Sequence, residues 1–234
     1  METNAELSLS FRLVAWEAET SGRNLSGQGD RQDAKPPPAS LRRRITPVGR
    51  SALAAAWSLH TDGESPRLIF SSRHGEYERI WSLLHSLAES GEVSPAEFSL
   101  SVHHALAGLL SIATGNRAGH TAIAAGVESF GYGLLEAVAA MTEDAKPVLF
   151  VHFDDALPEA YGTVAGDPAG QTIIALGIAP VDTGDGEMMV LSVLPGEGTR
   201  KDDLAERFIQ FLETGQPEGE ARGERMLWRW RRAA

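Results

Sequence analysis

The 234-residue chain contains no cysteine. A disulfide framework, a thiolate metal site and a thiol nucleophile are therefore excluded. Basic charge is scarce: 21 Lys and Arg stand against 32 Asp and Glu, a net charge of −11. A nucleic-acid binder needs a basic face, so this balance argues against that class. No apolar run reaches the roughly 20 residues that a membrane-spanning helix requires. The opening residues, METNAELSLSFRLVAWEAE, lack a positive segment followed by a long apolar core. No signal peptide is read there, and a cytoplasmic location is expected. There is no internal repeat. What remains, with 42% apolar residues, is enough to build one large domain over 1–234.

Leu7–Ala18 alternates apolar and polar residues and reads as a strand with one buried face. Residues 20–40, with Gly, Asp, Arg and Pro36-Pro37-Pro38, read as a mobile loop. A helix is expected within Leu41–His60, with Thr46 as N-cap and Pro47 in the first turn. Arg42, Arg43 and Arg44 precede it as the basic cluster of the first half, a candidate docking patch for an acidic partner. Pro66–Ser72 reads as a buried strand and Glu76–Ser90 as an amphipathic helix. Ser94-Pro95-Ala96-Glu97 matches a capping box. Pro147–Phe153 is another buried strand. Gln171–Ala179 and Glu187–Leu194 are expected to form an antiparallel hairpin across PVDTGDG. Lys201–Glu213 reads as a helix with Leu204, Phe208, Phe211 and Leu212 inward, and Gly215–Gly223 as a loop. The end, 224–234, is a basic and aromatic tail; as a strand it would place Trp228 and Trp230 on one face. Strands alternating with helices predict an α/β layer on a mixed, mostly parallel sheet with helices on both faces.

The densest stretch is Ser101–Met141, SVHHALAGLLSIATGNRAGHTAIAAGVESFGYGLLEAVAAM. It reads as helix, Gly-bearing turn, short small-residue strand, tight Gly-Val-Glu-Ser turn and second helix. Strand, turn and helix together form a common site for a nucleophile in α/β enzymes. The unit 118–141 is expected at the centre of the sheet.

Those residues resemble the nucleophile region of β-ketoacyl synthases. That family carries Asn-x-x-Ala-Gly, a Gly-rich turn, a strand and then Thr-Ala-Cys. A gapless overlay puts the first motif on His104, Ala107 and Gly108, and Thr-Ala-Cys on Ala125, Gly126 and Val127. The stretches LRRRITPVGRSALAAA and LIFSSRHGEYERIWSLL add a likeness to a short branch, truncated chain-length-factor-like proteins found with aryl-polyene biosynthesis. The resemblance implies half of a thiolase-like fold and no catalysis by this chain alone. The nucleophile position is Val127, or Gly126 if the overlay slips by one, and neither can form an acyl thioester. It implies pairing with a full-length β-ketoacyl-acyl-carrier-protein synthase as a heterodimer. Acyl carrier protein would be an indirect partner, and the isolated chain could pair with itself. Thr121–Ala125 would be the dimer edge and Ser101–Gly115 its flanking helix. His104, Gly108, Glu128, Ser129 and Phe130 become candidates for the interface or acyl channel. No cofactor is implied.

Rival chemistry is weaker. A stand-alone Ser hydrolase or acyltransferase would use Ser129, but a nucleophile elbow needs Gly-x-Ser-x-Gly. Here Gly131 is in place while Val127 occupies the first Gly position, and no His follows His152. Adjacent His103 and His104 point about 100° apart on a helix, which does not suit one metal ion. One is expected to bond within the core and one to face a cavity or partner. Arg73-His74-Gly75, after a strand, could hold a phosphate or carboxylate.

Overall fold

Alternation of buried side chains along the strands sets the architecture. The computed structural model describes residues 6–20, 22–27, 38, 45–61, 63–161, 170–196 and 202–233. Among them are nine strands: β1 (Leu7–Thr20), β2 (Arg23–Gly27), β3 (Arg67–Ser71), β4 (His120–Ile123), β5 (Val148–Asp154), β6 (Thr172–Ala179), β7 (Glu187–Pro195), β8 (Glu218–Arg222) and β9 (Met226–Arg232). The helices are α1 (Pro47–Ser58), α2 (Tyr77–Ser90), α3 (Pro95–Ser99), α4 (Ala105–Thr114), α5 (Ser129–Asp144) and α6 (Leu204–Thr214).

The strands form one sheet in the order β4-β3-β5-β6-β1-β7-β9-β8, with β2 paired to β1. Along β5 and β6 successive side chains point to opposite faces, as the period of two requires. Leu149, Val151, Phe153, Ile173 and Ala175 pack with α1 and α4 on one face. Val148, Phe150, Ile174, Leu176 and Ile178 pack with α5 and α6 on the other. Helices on both faces of a mixed α/β sheet match the expectation. The balance of pairing differs. Parallel pairing is confined to β4-β3-β5. From β5 onward every pair is antiparallel.

Local signals formed the helices as read. Thr46 caps α1 by accepting from Gly49 N at 3.2 Å, with Pro47 in the first turn. Ser94 accepts from Glu97 N to start α3, and Asp203 accepts from Glu206 N to start α6. The inward set Leu204, Phe208, Phe211 and Leu212 is buried.

Four expectations are corrected. β6 and β7 are not a hairpin, because β1 lies between them and pairs with both. Their connection crosses the middle of β1 and is tied to it by Arg12, whose guanidinium donates to Val181 O at 2.8 Å and Gly186 O at 3.0 Å. Residues 23–27, read as part of a mobile loop, form β2. Its pairing with β1 satisfies the backbone where composition offered little to bury. Residues 218–222, read as loop, form β8. The C-terminal tail is not free: β9 lies between β7 and β8. Trp228 and Trp230 do share one face, at 0% and 2% exposure, inside the core. Each such side chain buries about 150–250 Å². At ~25 cal/mol per Å² that is an upper estimate of about 4–6 kcal/mol each.

Candidate functional site: an elbow without a nucleophile

β4 stands at the end of the sheet, not at its centre. It is the elbow leading from it into α5 that is central, because α5 packs across the middle of one face. After Ile123 the chain passes Ala124 and Ala125 and makes a 3-10 turn at Gly126–Glu128 before α5 begins at Ser129. Gly126 has φ +62°, a left-handed conformation that any side chain would strain. A nucleophile elbow puts its reactive residue at a strained strand-to-helix turn. Here that conformation belongs to a glycine, and half-buried Val127 follows it.

Ser129 is 1% exposed, and its hydroxyl closes the turn. Oγ accepts from Ala125 N at 2.9 Å and donates to Gly126 O at 2.7 Å. Its proton is thus committed to a backbone carbonyl and not to a base.

Glu128 is equally buried, at 1% exposure. It faces this chain's own C-terminal hairpin. Its carboxylate accepts from Met226 N at 3.0 Å, Arg225 N at 3.2 Å and the Trp228 indole N–H at 3.3 Å. The Arg225 guanidinium lies 3.5 Å away. The carboxylate therefore clamps β9 to the elbow. Phe130 sits in the core against Phe150, His152 and Phe208.

On the outer side the residues are open. His104 and His120 are exposed and stacked, ring centroids 6.1 Å apart and 22° from parallel. The spacing His104, Gly108, Ile112 follows one face of α4. A Cβ on Gly108 would meet nothing within 4 Å, and Ile112 is 79% exposed. This face and the unpaired side of β4 adjoin. The core hydrogen bond expected for one of the pair is not made by His103 Nε2, which is buried and unpartnered where the ring lies over Gly75; His104 is exposed. Arg42, Arg43 and Arg44 fall outside the described residues.

The sequence reading missed one constellation. Ser71 at the end of β3 lies beside His152 on β5, Oγ to Nδ1 2.9 Å. His152 Nε2 is 3.4 Å from Asp154 Oδ2. Asp154 Oδ1 accepts from Ser72 Oγ, Arg73 N and His74 N at 2.9, 2.8 and 3.3 Å. The loop after β3 thus holds a carboxylate, as its position suggested, but that carboxylate is the chain's own. Burial pushes the His152 imidazole below its ordinary range, partly offset by Asp154. Ser71 is 1% exposed, and a Cβ on Gly133 would come within 2.6 Å of its hydroxyl. This Ser-His-Asp line is core structure with no room for a substrate. The only signal for it was the i, i+2 pair His152 and Asp154 beside a strand ending in Ser, legible once β3 and β5 are known to be neighbours.

A parallel β-α edge ending in a glycine elbow, covered on both faces and continued by antiparallel strands, defines a ketosynthase-type scaffold of half-domain size, the thiolase-like half. The chain belongs to the family described as β-ketoacyl synthase, N-terminal domain, whose model matches residues 14–231. Among solved structures it is similar to a chain of "Ketosynthase (ApeO) in Complex with its Chain Length Factor (ApeC) from Xenorhabdus doucetiae". The TM-score is 0.80 at 25% identity, over 96% of this chain and 100% of that one. The fold is also that of "The ishigamide ketosynthase/chain length factor", TM-score 0.51 at 15% identity over 76% of this chain and 60% of that one. A third is a type II PKS acyl-carrier protein in complex with its ketosynthase (AntDE:AntF), TM-score 0.54 at 15% identity over 73% of this chain and 64% of that one. No curated protein matches in sequence. Among the described residues no helix is long and apolar enough to cross a membrane.

Proposed function

We propose that this chain is a non-catalytic, chain-length-factor-like subunit. It pairs with a full-length β-ketoacyl-acyl-carrier-protein synthase in the fatty-acid or polyketide-type elongation of an aryl polyene, and shares its cytoplasmic location. The observation that carries this reading is the elbow. Its strained position is Gly126, its next residue is Val127, and the adjacent hydroxyl of Ser129 is bonded into the turn. Acyl transfer needs an activated nucleophile and positioned proton-transfer groups. The full-length likeness to a similarly short chain in a ketosynthase and chain-length-factor complex supports the same reading.

The seam is the free edge of β4 with the His104–Gly108–Ile112 face of α4. An unpaired edge strand offers a row of N–H and C=O groups to a matching edge. The open space over Gly108 admits a close neighbour. Glu128 and Phe130 shape the elbow from inside; they do not reach across. The acyl carrier protein meets the complex through the synthase. A stand-alone hydrolase using Ser129 finds no favouring observation.

The test is co-expression with a full-length ketosynthase from the same source, size-exclusion chromatography and an elongation assay. Co-elution, with elongation that depends on both chains, is expected. Separate elution with a synthase fully active alone overturns the reading.

A further inference from the structure

One part of the molecule carries an apolar face that nothing among the described residues covers. α2 has fourteen residues, about 21 Å of helix. Its apolar residues Ile80, Leu83, Leu84 and Leu87 lie at helical spacing, which ordinarily marks a face turned to a core. Yet Arg79 is the one buried residue of the helix. Leu84 and Leu87 are 46% and 49% exposed, and Phe98 on α3 is 62% exposed. α2 and α3 pack mainly on each other and stand away from the sheet.

The root of this arm is firmly made. Arg79 lies 3.4 Å from Glu76 and also pairs with Glu97, tying α3 to α2. Glu76 in turn accepts from Thr46 N and Oγ1 at 3.0 and 2.6 Å. Tyr77 and Trp81 make edge contacts with Tyr161, with ring centroids 5.2 and 5.1 Å apart. A rigid root with a bare apolar tip is the form of a docking element, not of a frayed helix.

Charge decides what the arm docks on. Along residues 77–100 the exposed charges are Glu78, Glu89, Glu92 and Glu97, the last compensated by its pairing with Arg79. The only Lys or Arg there is Arg79, which is buried. Two such arms would set like charges against each other, so a second copy of this chain is disfavoured. An acidic carrier protein is disfavoured for the same reason. The matching occupant is an apolar groove with a basic rim. The chain leads from α3 through exposed Val102 directly into α4, which carries exposed Ile112 on the face already assigned to the synthase. We infer that the α2–α3 arm seats its Leu84, Leu87 and Phe98 face in a basic-rimmed apolar groove of the partner synthase, as a second anchor beyond the β4 edge. This rests on the pairing reading above.

The test uses the full chain with its co-expressed synthase. Leu84→Glu, Leu87→Glu and Phe98→Glu combined should weaken the complex at least tenfold, with the variant's own melting temperature and monomer mass unchanged. Glu89→Lys with Glu92→Lys should slow association and reduce its salt dependence, since rim charges act on encounter. If the triple variant binds the synthase as tightly as the wild type, the arm inference fails while the pairing stands. A wild-type chain that does not bind the synthase at all overturns both. If the isolated wild type self-associates through the arm and the triple variant does not, the occupant is a second copy and the inference is overturned.

Discussion

Replacing Glu128 by Ala should loosen the whole C-terminal hairpin. The wild-type carboxylate, 1% exposed, accepts from the Met226 and Arg225 amides and from the Trp228 indole. An unsatisfied buried donor costs about 1–3 kcal/mol. The Trp228 indole is fully enclosed; the two amides are less so, and water can recover part of their loss. The Arg225 side chain is 68% exposed, so its ion pair contributes next to nothing. Freeing the chain from a buried carboxylate offsets some of the loss. The net is a destabilisation of about 2–4 kcal/mol. For a chain of this size that corresponds to a fall in melting temperature of roughly 5–15 °C. Glu128→Gln keeps one acceptor but turns an amide N–H toward donors, and should cost about half as much. Urea unfolding followed by tryptophan fluorescence reads both, and hydrogen exchange at the Met226 amide localises the effect. An Ala variant within about 0.5 kcal/mol of wild type, or unchanged protection at Met226, would refute the clamp.

Three further outcomes follow from the same packing. His152 is held neutral by burial, so its folded pKa lies below its unfolded one. The unfolded chain then binds more protons, and stability is full above about pH 6.5 and falls as pH drops toward the folded value. Urea midpoints between pH 7.5 and 5 should fall less steeply in His152→Asn than in wild type; equal slopes would exclude His152 as the cause. Ser129→Ala should leave elongation by the complex intact while lowering stability by about 1–2 kcal/mol, because it frees Ala125 N. A serine-reactive probe that labels the wild type and not this variant would contradict the structural role. Gly131→Ala should cost about 1–3 kcal/mol or more, since its Cβ would lie 2.5 Å from the Trp228 ring. A melting temperature equal to wild type would show that β9 can withdraw from α5.

The elements with local causes were legible. Thr46 with Pro47, Ser94 with Glu97 and the period of Phe208, Phe211 and Leu212 specify helices through neighbours in the chain, whatever lies around them. The alternating Trp228 and Trp230 pointed to a strand face in the same way. β2 and β8 were not legible because Arg23–Gly27 and Glu218–Arg222 hold few apolar residues. Their strands exist because each folds back in a tight hairpin on a neighbouring strand that carries the apolar residues, β1 for β2 and β9 for β8. The hairpin expected for β6 and β7 failed for a related reason. Adjacency in sequence favours adjacency in space, but β1, far upstream, carries the apolar face that fits between them.

At the site the division is sharper. Composition alone excludes a cysteine nucleophile, and the order of residues 101–141 lays down strand, turn and helix with Gly126 and Val127 at the bend. These are covalent facts that no packing can alter. Which way Glu128 turns is another matter. An acid at the start of a helix looks like an exposed first-turn residue; here the stretch Arg225–Trp228 brings three donors to it from about a hundred positions away. Ser129, Phe130 and the Ser71-His152-Asp154 line are likewise structural because the fold encloses them and gives their polar atoms internal partners. The absence of cysteine and the Gly126–Val127 bend are written along the chain. The assignment of each remaining polar group to core or surface depends on burial, which arises only when segments distant in sequence exclude water from one another.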